Sequence, residues 1–173
     1  EKDIELLTSQ VERCNEILKR LSLNANEEDD FIDEDLTMKG YLDEIITSFE
    51  NLSDKKFVFN FDQNSNHQKI IRSIEIIYGL RNFIGNAYKF AKVNIFINLK
   101  SDSEFTEITI EDDGAGYPND ILSKIGEPYL KTLNTNQKSR AGLGLGIFIG
   151  KTLLEKNFAN VNCRNSKTRT GAE

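Results

Sequence analysis

Three groups of residues in this 173-residue chain have types and spacings that could do chemistry. The densest is Ser139-Arg140-Ala141-Gly142-Leu143-Gly144-Leu145-Gly146-Ile147-Phe148-Ile149, where glycines alternate with leucines and then run into an apolar, helix-like segment, Ile147 to Leu154. Glycine has no Cβ, so backbone there can approach a ligand closely. A helix starting at such a run aims N–H groups and its positive dipole end at the loop, which favours phosphate. A simple Gly/Leu turn accounts for the same residues, and the run alone does not choose.

Two phosphate motifs are excluded. Gly150-Lys151-Thr152 has the form of a P-loop end, but the first glycine it requires falls on Leu145, and the lysine sits well inside the expected helix. The dinucleotide pattern fails because Ile149 stands where a third glycine is needed, and no strand immediately precedes the run.

The second group lies on a long expected helix, residues 70–91. Asn82 and Asn86 are four apart, so their amides stack on one helix face, and Lys89 shares that face. Asparagine is a poor helix former, so two in mid-helix need a reason. Holding Mg²⁺ through amide oxygens, with the lysine toward phosphate, is one; facing solvent is the other. The third group closes an expected strand, Ile110-Glu111-Asp112-Asp113-Gly114-Ala115-Gly116-Tyr117-Pro118. Such a carboxylate, followed by two close glycines, suits an adenine amino group or merely forms an acidic turn. The 25 residues between Gly116 and Gly142 form a long connection of the kind often used as a lid.

These groups need elements to position them. Helices are expected over residues 38–52, 70–91, 119–125 and from Ile147 onward, and half-buried strands over 56–61, 93–100 and 105–111. A further alternating stretch, Ala159 to Arg164, includes Cys163, read as a structural strand residue. Residues 3–23 carry Ile4, Leu7, Val11, Cys14, Leu18 and Leu21 at heptad spacing, the seam of a helix that needs a helical partner. Cys14 on that seam is a packing residue or a redox-responsive thiol. An acidic connector spans 26–36. Net charge of −6 argues against a nucleic-acid surface, and no apolar run is long enough to span a bilayer. Two cysteines are too few for a disulfide framework and fit a reducing compartment. The chain starts without methionine and stops mid-pattern, as a piece of a longer protein would. His67, the only histidine, falls in a polar turn without ligand-spaced neighbours.

In order and spacing, Asn82-x-x-x-Asn86-Ala-x-Lys89-Phe90, Asp112-Asp-Gly114-x-Gly116, Glu127-Pro128-Tyr129 and Gly142-x-Gly144-x-Gly146 resemble the N, G1, F and G2 boxes of sensor histidine kinases. Those kinases share the Bergerat-type ATP-binding fold with gyrase, MutL and the heat-shock-90 chaperones. Three strings, 11–18, 127–132 and 146–155, look like the redox-responsive RegB/PrrB/ActS branch.

The resemblance implies an α+β fold: a two-layer sandwich with a mixed sheet and helices on one face. Residues 1–25 would be the second helix of a dimerisation and phospho-acceptor hairpin, 26–36 a linker, and 37–173 the catalytic domain, lacking its last strand. It implies that Asn86, with Asn82, holds Mg²⁺ on ATP, that Lys89 meets phosphate, and that Phe90 flanks the nucleotide. Asp112 would take the adenine amino group, with Gly114 and Gly116 allowing close approach. Gly142, Leu143, Gly144, Leu145 and Gly146 would cradle the phosphates, with Lys131 and Arg140 as lid cations.

The pattern departs from the family at Asp113, often Asn, at Ala115, often Pro, and at Gly126, often Phe. The hydrolysing relatives carry a glutamate where this chain has Asn82, and an amide is no general base. Transfer to a protein histidine is therefore expected rather than hydrolysis, and the acceptor lies outside this chain. A homodimer through the hairpin, a response-regulator partner and a cytoplasmic place beneath a bacterial inner-membrane sensor follow from the same resemblance. The alternative is a nucleotide-gated interaction module of the same fold without turnover.

Overall fold

The computed structural model describes residues 37–50, 55–62, 70, 73–128, 145–167 and 170–173. All lie in the unit Glu34–Glu173; the unit Glu1–Asp33, with Cys14 and the heptad seam, is outside the described residues, as is His67. The elements are α1 (Met38–Glu50), β1 (Lys56–Phe61), α2 (Ile74–Phe90), β2 (Asn94–Ser101), β3 (Thr106–Asp112), the single turn α3 (Asn119–Leu122) and α4 (Gly146–Lys156).

The sheet order is β1-β2-β3, with β1 parallel to β2 and β3 antiparallel to it. The parallel pair needs a crossover, and α2 supplies it. Because strand side chains alternate faces, the register aligns Phe57 and Phe59 with Ile95 and Ile97, and these with Asp112 and Ile110. That face packs under α1 and α2. Leu42, Ile45 and Ile46 of α1 and Leu80, Ile84 and Ala87 of α2 join Ile95, Ile97 and Leu99 in one core. Each buried leucine or isoleucine there contributes on the order of 1.5–3 kcal/mol. The result is the expected α+β arrangement, a mixed sheet with helices on one face.

Helix α2 begins at Ile74 rather than at residue 70, because Ser73 is an N-cap. Its backbone is extended (φ −131°), and its Oγ accepts the Ile76 N–H at 3.3 Å. At the other end Lys55 donates to the carbonyls of Tyr88 and, at 2.8 Å, Ala91. A cation there meets both the unpaired carbonyls and the negative end of the dipole.

Helix α4 lies against α2 at two glycines. A Cβ on Gly79 would come 2.6 Å from the Leu154 side chain, and one on Gly150 2.9 Å from the Phe83 ring and 3.1 Å from Gly79 O. Absence of both side chains sets how near the helices come. Residues 159–164 form no strand, contrary to expectation. Pairing is confined to the end of that stretch: Arg164 and Glu173 exchange backbone bonds at 2.7 and 2.8 Å, and Asn165 is bridged antiparallel to Ala172.

Candidate nucleotide site

Asp112 ends β3 on the helix-covered face and is 2% exposed. Its N–H donates to Ala172 O at 3.1 Å, and its Oδ1 accepts the N–H groups of Gly114 at 2.7 Å and Ala172 at 3.5 Å. Burial pushes its carboxyl above the ordinary range, against the pull of those two N–H groups; the neighbouring Asp113 adds to the rise and Lys55 opposes it. Both bonds fall on Oδ1, which leaves Oδ2 for a ligand donor.

Beyond Asp112 the chain turns beneath the end of α2. A Cβ on Gly114 would stand 2.5 Å from Phe90 O, so this loop and the helix end meet backbone to backbone. Phe90 is half-exposed beside them, with Lys89 Nζ 5.1 Å from its ring centre. At the far end of the same face, Asn82 donates through Nδ2 to Tyr78 O at 2.8 Å. Its Oδ1 stands 3.6 Å from where a Gly146 Cβ would be, at the first turn of α4. Asn86 lies one turn along, between the two ends.

Of the residues singled out from sequence, the structure thus brings Asp112 and Gly114 to the Phe90 end of α2, and Gly146 to the Asn82 end. Eight residues of helix separate the ends, about 12 Å at 1.5 Å per residue. Lys131, Arg140, Gly142, Leu143 and Gly144 lie outside the described residues. Leu145 is the N-cap of α4 and makes no side-chain cap, so the first N–H groups of that helix are not taken by it. Lys151 lies inside α4, ion-paired with Glu155 at 3.7 Å, in keeping with the rejected P-loop.

Two departures from the family pattern have structural reasons. Asp113 accepts four bonds across the α2–β2 connection: Lys92 N–H at 2.7 Å, Val93 N–H at 3.0 Å, and the backbone and amide of Asn94 at 2.9 and 3.0 Å. Burial raises its carboxyl, but these donors outweigh that and hold it below the ordinary range. Gly126 takes φ +93°, with a Cβ there 2.9 Å from the Lys151 stem, so a phenylalanine has no place.

Sequence reasoning missed Lys55, Asn165 and the pair Gly171-Ala172. The last stacks on Asp112 itself, and only its glycine hinted at it. Cys163 sits beside the half-buried Tyr117 phenol, and loss of solvent raises both groups, with Lys151 opposing the rise at the thiol.

A buried carboxylate acceptor, a glycine approach and a pair of amides on one helix face are the parts that a nucleotide site would need. The chain belongs to the histidine kinase-, DNA gyrase B- and HSP90-like ATPase family, whose model matches residues 72–172. It is 31% identical over 172 residues to the sensor histidine kinase RegB of Cereibacter sphaeroides, covering 95% of this chain and 37% of that protein. The chain therefore spans little more than a third of the length of that relative. Among solved structures it resembles the mycobacterial sensor histidine kinase MprB (TM-score 0.65, 21% identity, 79% of this chain and 91% of that one). It also resembles full-length ShkA solved with AMPPNP (TM-score 0.62, 20% identity, 79% and 28%). These likenesses establish the histidine kinase catalytic fold. Among the described residues no helix is long and apolar enough to cross a membrane.

The donor set fits Mg-ATP. Amide oxygens of Asn82 and Asn86 are hard ligands of the kind Mg²⁺ accepts beside phosphate. Asp112 Oδ2 offers an acceptor to an exocyclic amine, and Gly114 and Gly146 keep both ends clear of Cβ atoms.

Proposed function

We propose that this chain is the ATP-binding catalytic part of a sensor histidine kinase, passing the γ-phosphoryl group to a histidine on a dimerisation hairpin. The observation that carries this reading is the single α2 face: Asn82 meets Gly146 at one end, and Phe90 meets the Asp112–Gly114 turn at the other. A nucleotide laid along it has its base at Asp112 and its triphosphate at the start of α4.

Phosphoryl transfer is mostly positioning and charge neutralisation. Asp112 holds the base, and the N-terminal turn of α4 faces the phosphates with N–H groups and its positive dipole end. Asn86 and Asn82 would hold Mg²⁺, which supplies neutralisation of phosphate charge, and Lys89 adds a cation beside them. Lys131 and Arg140 are further cations for the γ-phosphate. Since Asn82 cannot remove a proton from water, the site favours a protein nucleophile: the histidine nitrogen bonds to γ-phosphorus as ADP leaves. A homodimer through the hairpin and a response regulator are the partners this reading requires, and Cys14 is its candidate redox thiol.

The test is incubation of the chain with Mg-ATP and a separately supplied acceptor hairpin. Phosphate on the hairpin histidine, with slow hydrolysis and none on His67, supports the kinase. Binding without transfer supports an interaction module, and brisk hydrolysis supports an ATPase.

A further inference from the structure

Asn165 lies outside every motif of the site, yet it binds the loop that follows Asp112 from both sides. Its Oδ1 accepts the Tyr117 N–H at 2.6 Å, and its Nδ2 donates to Tyr117 O at 3.0 Å. A planar amide paired with both the N–H and the C=O of one residue fixes that residue's backbone in position and orientation, as a strand partner would. Its Oδ1 also fills the space beneath Gly116, where a Cβ would stand 2.7 Å from it. Gly116 has φ +76°, so the turn from Asp112 to Tyr117 is built around the asparagine.

The same residue is tied to Asp112 by a second route. Asn165 bridges Ala172, and Ala172 exchanges backbone and side-chain bonds with Asp112. The next residue, Ser166, donates to Glu111 Oε1 at 2.7 Å. The half-buried side chain of Tyr117 itself feels the charges of Cys163 and Asp112. One amide therefore sets the Gly114–Tyr117 loop relative to the carboxylate on which a base would rest.

We propose that Asn165 is a positioning residue that sets base selectivity: it fixes the Gly114–Tyr117 loop against Asp112, so that the site takes a 6-amino purine and rejects a 6-oxo purine. This deepens the nucleotide-site reading and rests on it. Replacing the asparagine by alanine leaves both Tyr117 groups without their partner and opens space under Gly116. The loop then no longer holds the base in one register, while the phosphate end at Gly146 is untouched. Asn165→Asp keeps an acceptor for the Tyr117 N–H but loses the donor to Tyr117 O, an intermediate case.

The test is titration of the wild-type chain, Asn165→Asp and Asn165→Ala with the non-hydrolysable Mg-bound analogues of ATP and of ITP, alongside thermal melting. The wild type is expected to prefer the ATP analogue by roughly tenfold or more. That preference shrinks in the aspartate variant and nears unity in the alanine variant, through loss of ATP-analogue affinity with little change for the ITP analogue. A purely structural role lowers both affinities together and leaves the ratio intact, which overturns the assignment. Equal preference in all three proteins overturns it as well. A wild type that binds neither analogue overturns the nucleotide reading itself, and this assignment with it. If the alanine variant does not fold, the ratio in Asn165→Asp decides.

Discussion

Gly171 presses directly on Asp112: a Cβ at Gly171 would lie 1.9 Å from the Asp112 carbonyl oxygen and 3.0 Å from Oδ1. Its φ of +143° is also a conformation that side chains with a Cβ rarely adopt. Gly171→Ala therefore has to push the Gly171–Glu173 segment off β3 or shift the carboxylate. Chemical denaturation should show a loss of about 2 kcal/mol or more. Nucleotide affinity should fall with it, although residue 171 belongs to no phosphate or base motif.

Asp112 and its neighbour Asp113 should respond to acid in opposite senses. The raised carboxyl of Asp112 means that its contribution to stability is present below the unfolded-state value and lost as pH rises through the folded one. At neutral pH its buried charge opposes folding. Asp112→Asn keeps an Oδ1 for Gly114 and Ala172 and removes the charge, so the ligand-free melting temperature should rise. The new Nδ2 is a donor facing a donor, so adenine-nucleotide affinity should drop roughly 10- to 100-fold. In the wild type, affinity should decline as pH falls through the raised Asp112 value, with proton release on binding in that range.

Asp113 runs the other way. Its lowered carboxyl contributes stability above the unfolded-state value, lost as pH falls through the folded one. Asp113→Ala removes the acceptor for four donors of the α2–β2 connection and should cost about 1–3 kcal/mol at pH 7, with less effect once acid has protonated the wild-type carboxyl. Denaturant titrations repeated from neutral into acidic pH should show the difference between the two proteins shrinking as the pH falls.

The contact of α4 with α2 tests whether helix spacing sets the phosphate end. Gly150→Val puts atoms into the Phe83 ring, the Asn82 stem and Gly79 O. It should destabilise by about 1–3 kcal/mol. Because Gly146 then moves away from Asn82, affinity for the ATP analogue should fall while base selectivity persists.

Much of the frame was legible because its signals are local. Lys56–Phe61 alternates with period two and is the strand expected, and the apolar side of α2 marks the core face that Leu80, Ile84 and Ala87 take up. The start of α2 was misplaced because Ile70 extends the apolar rhythm upstream, whereas the Ser73 hydroxyl decides the boundary. What could not be read was long-range. Asp113 meets partners about 20 residues away, Asn165 meets Tyr117 at a separation of 48, and Ala172 meets Asp112 at 60. No periodicity announces such pairs. The residues around Asn165 and Ala172 are polar and irregular in sequence, and their pairing with one another and with Asp112 has no signature in the sequence pattern.

The most direct measurement is a calorimetric titration with a non-hydrolysable ATP analogue, with and without magnesium, on the wild type, Asp112→Ala and Asn86→Ala. Saturable binding should be seen in the wild type, strengthened by magnesium. Asp112→Ala should lose affinity whether or not the metal is present, whereas Asn86→Ala should lose chiefly the magnesium-dependent part. Heat that is the same for all three proteins and indifferent to magnesium would contradict a nucleotide stretched along α2 between those two side chains.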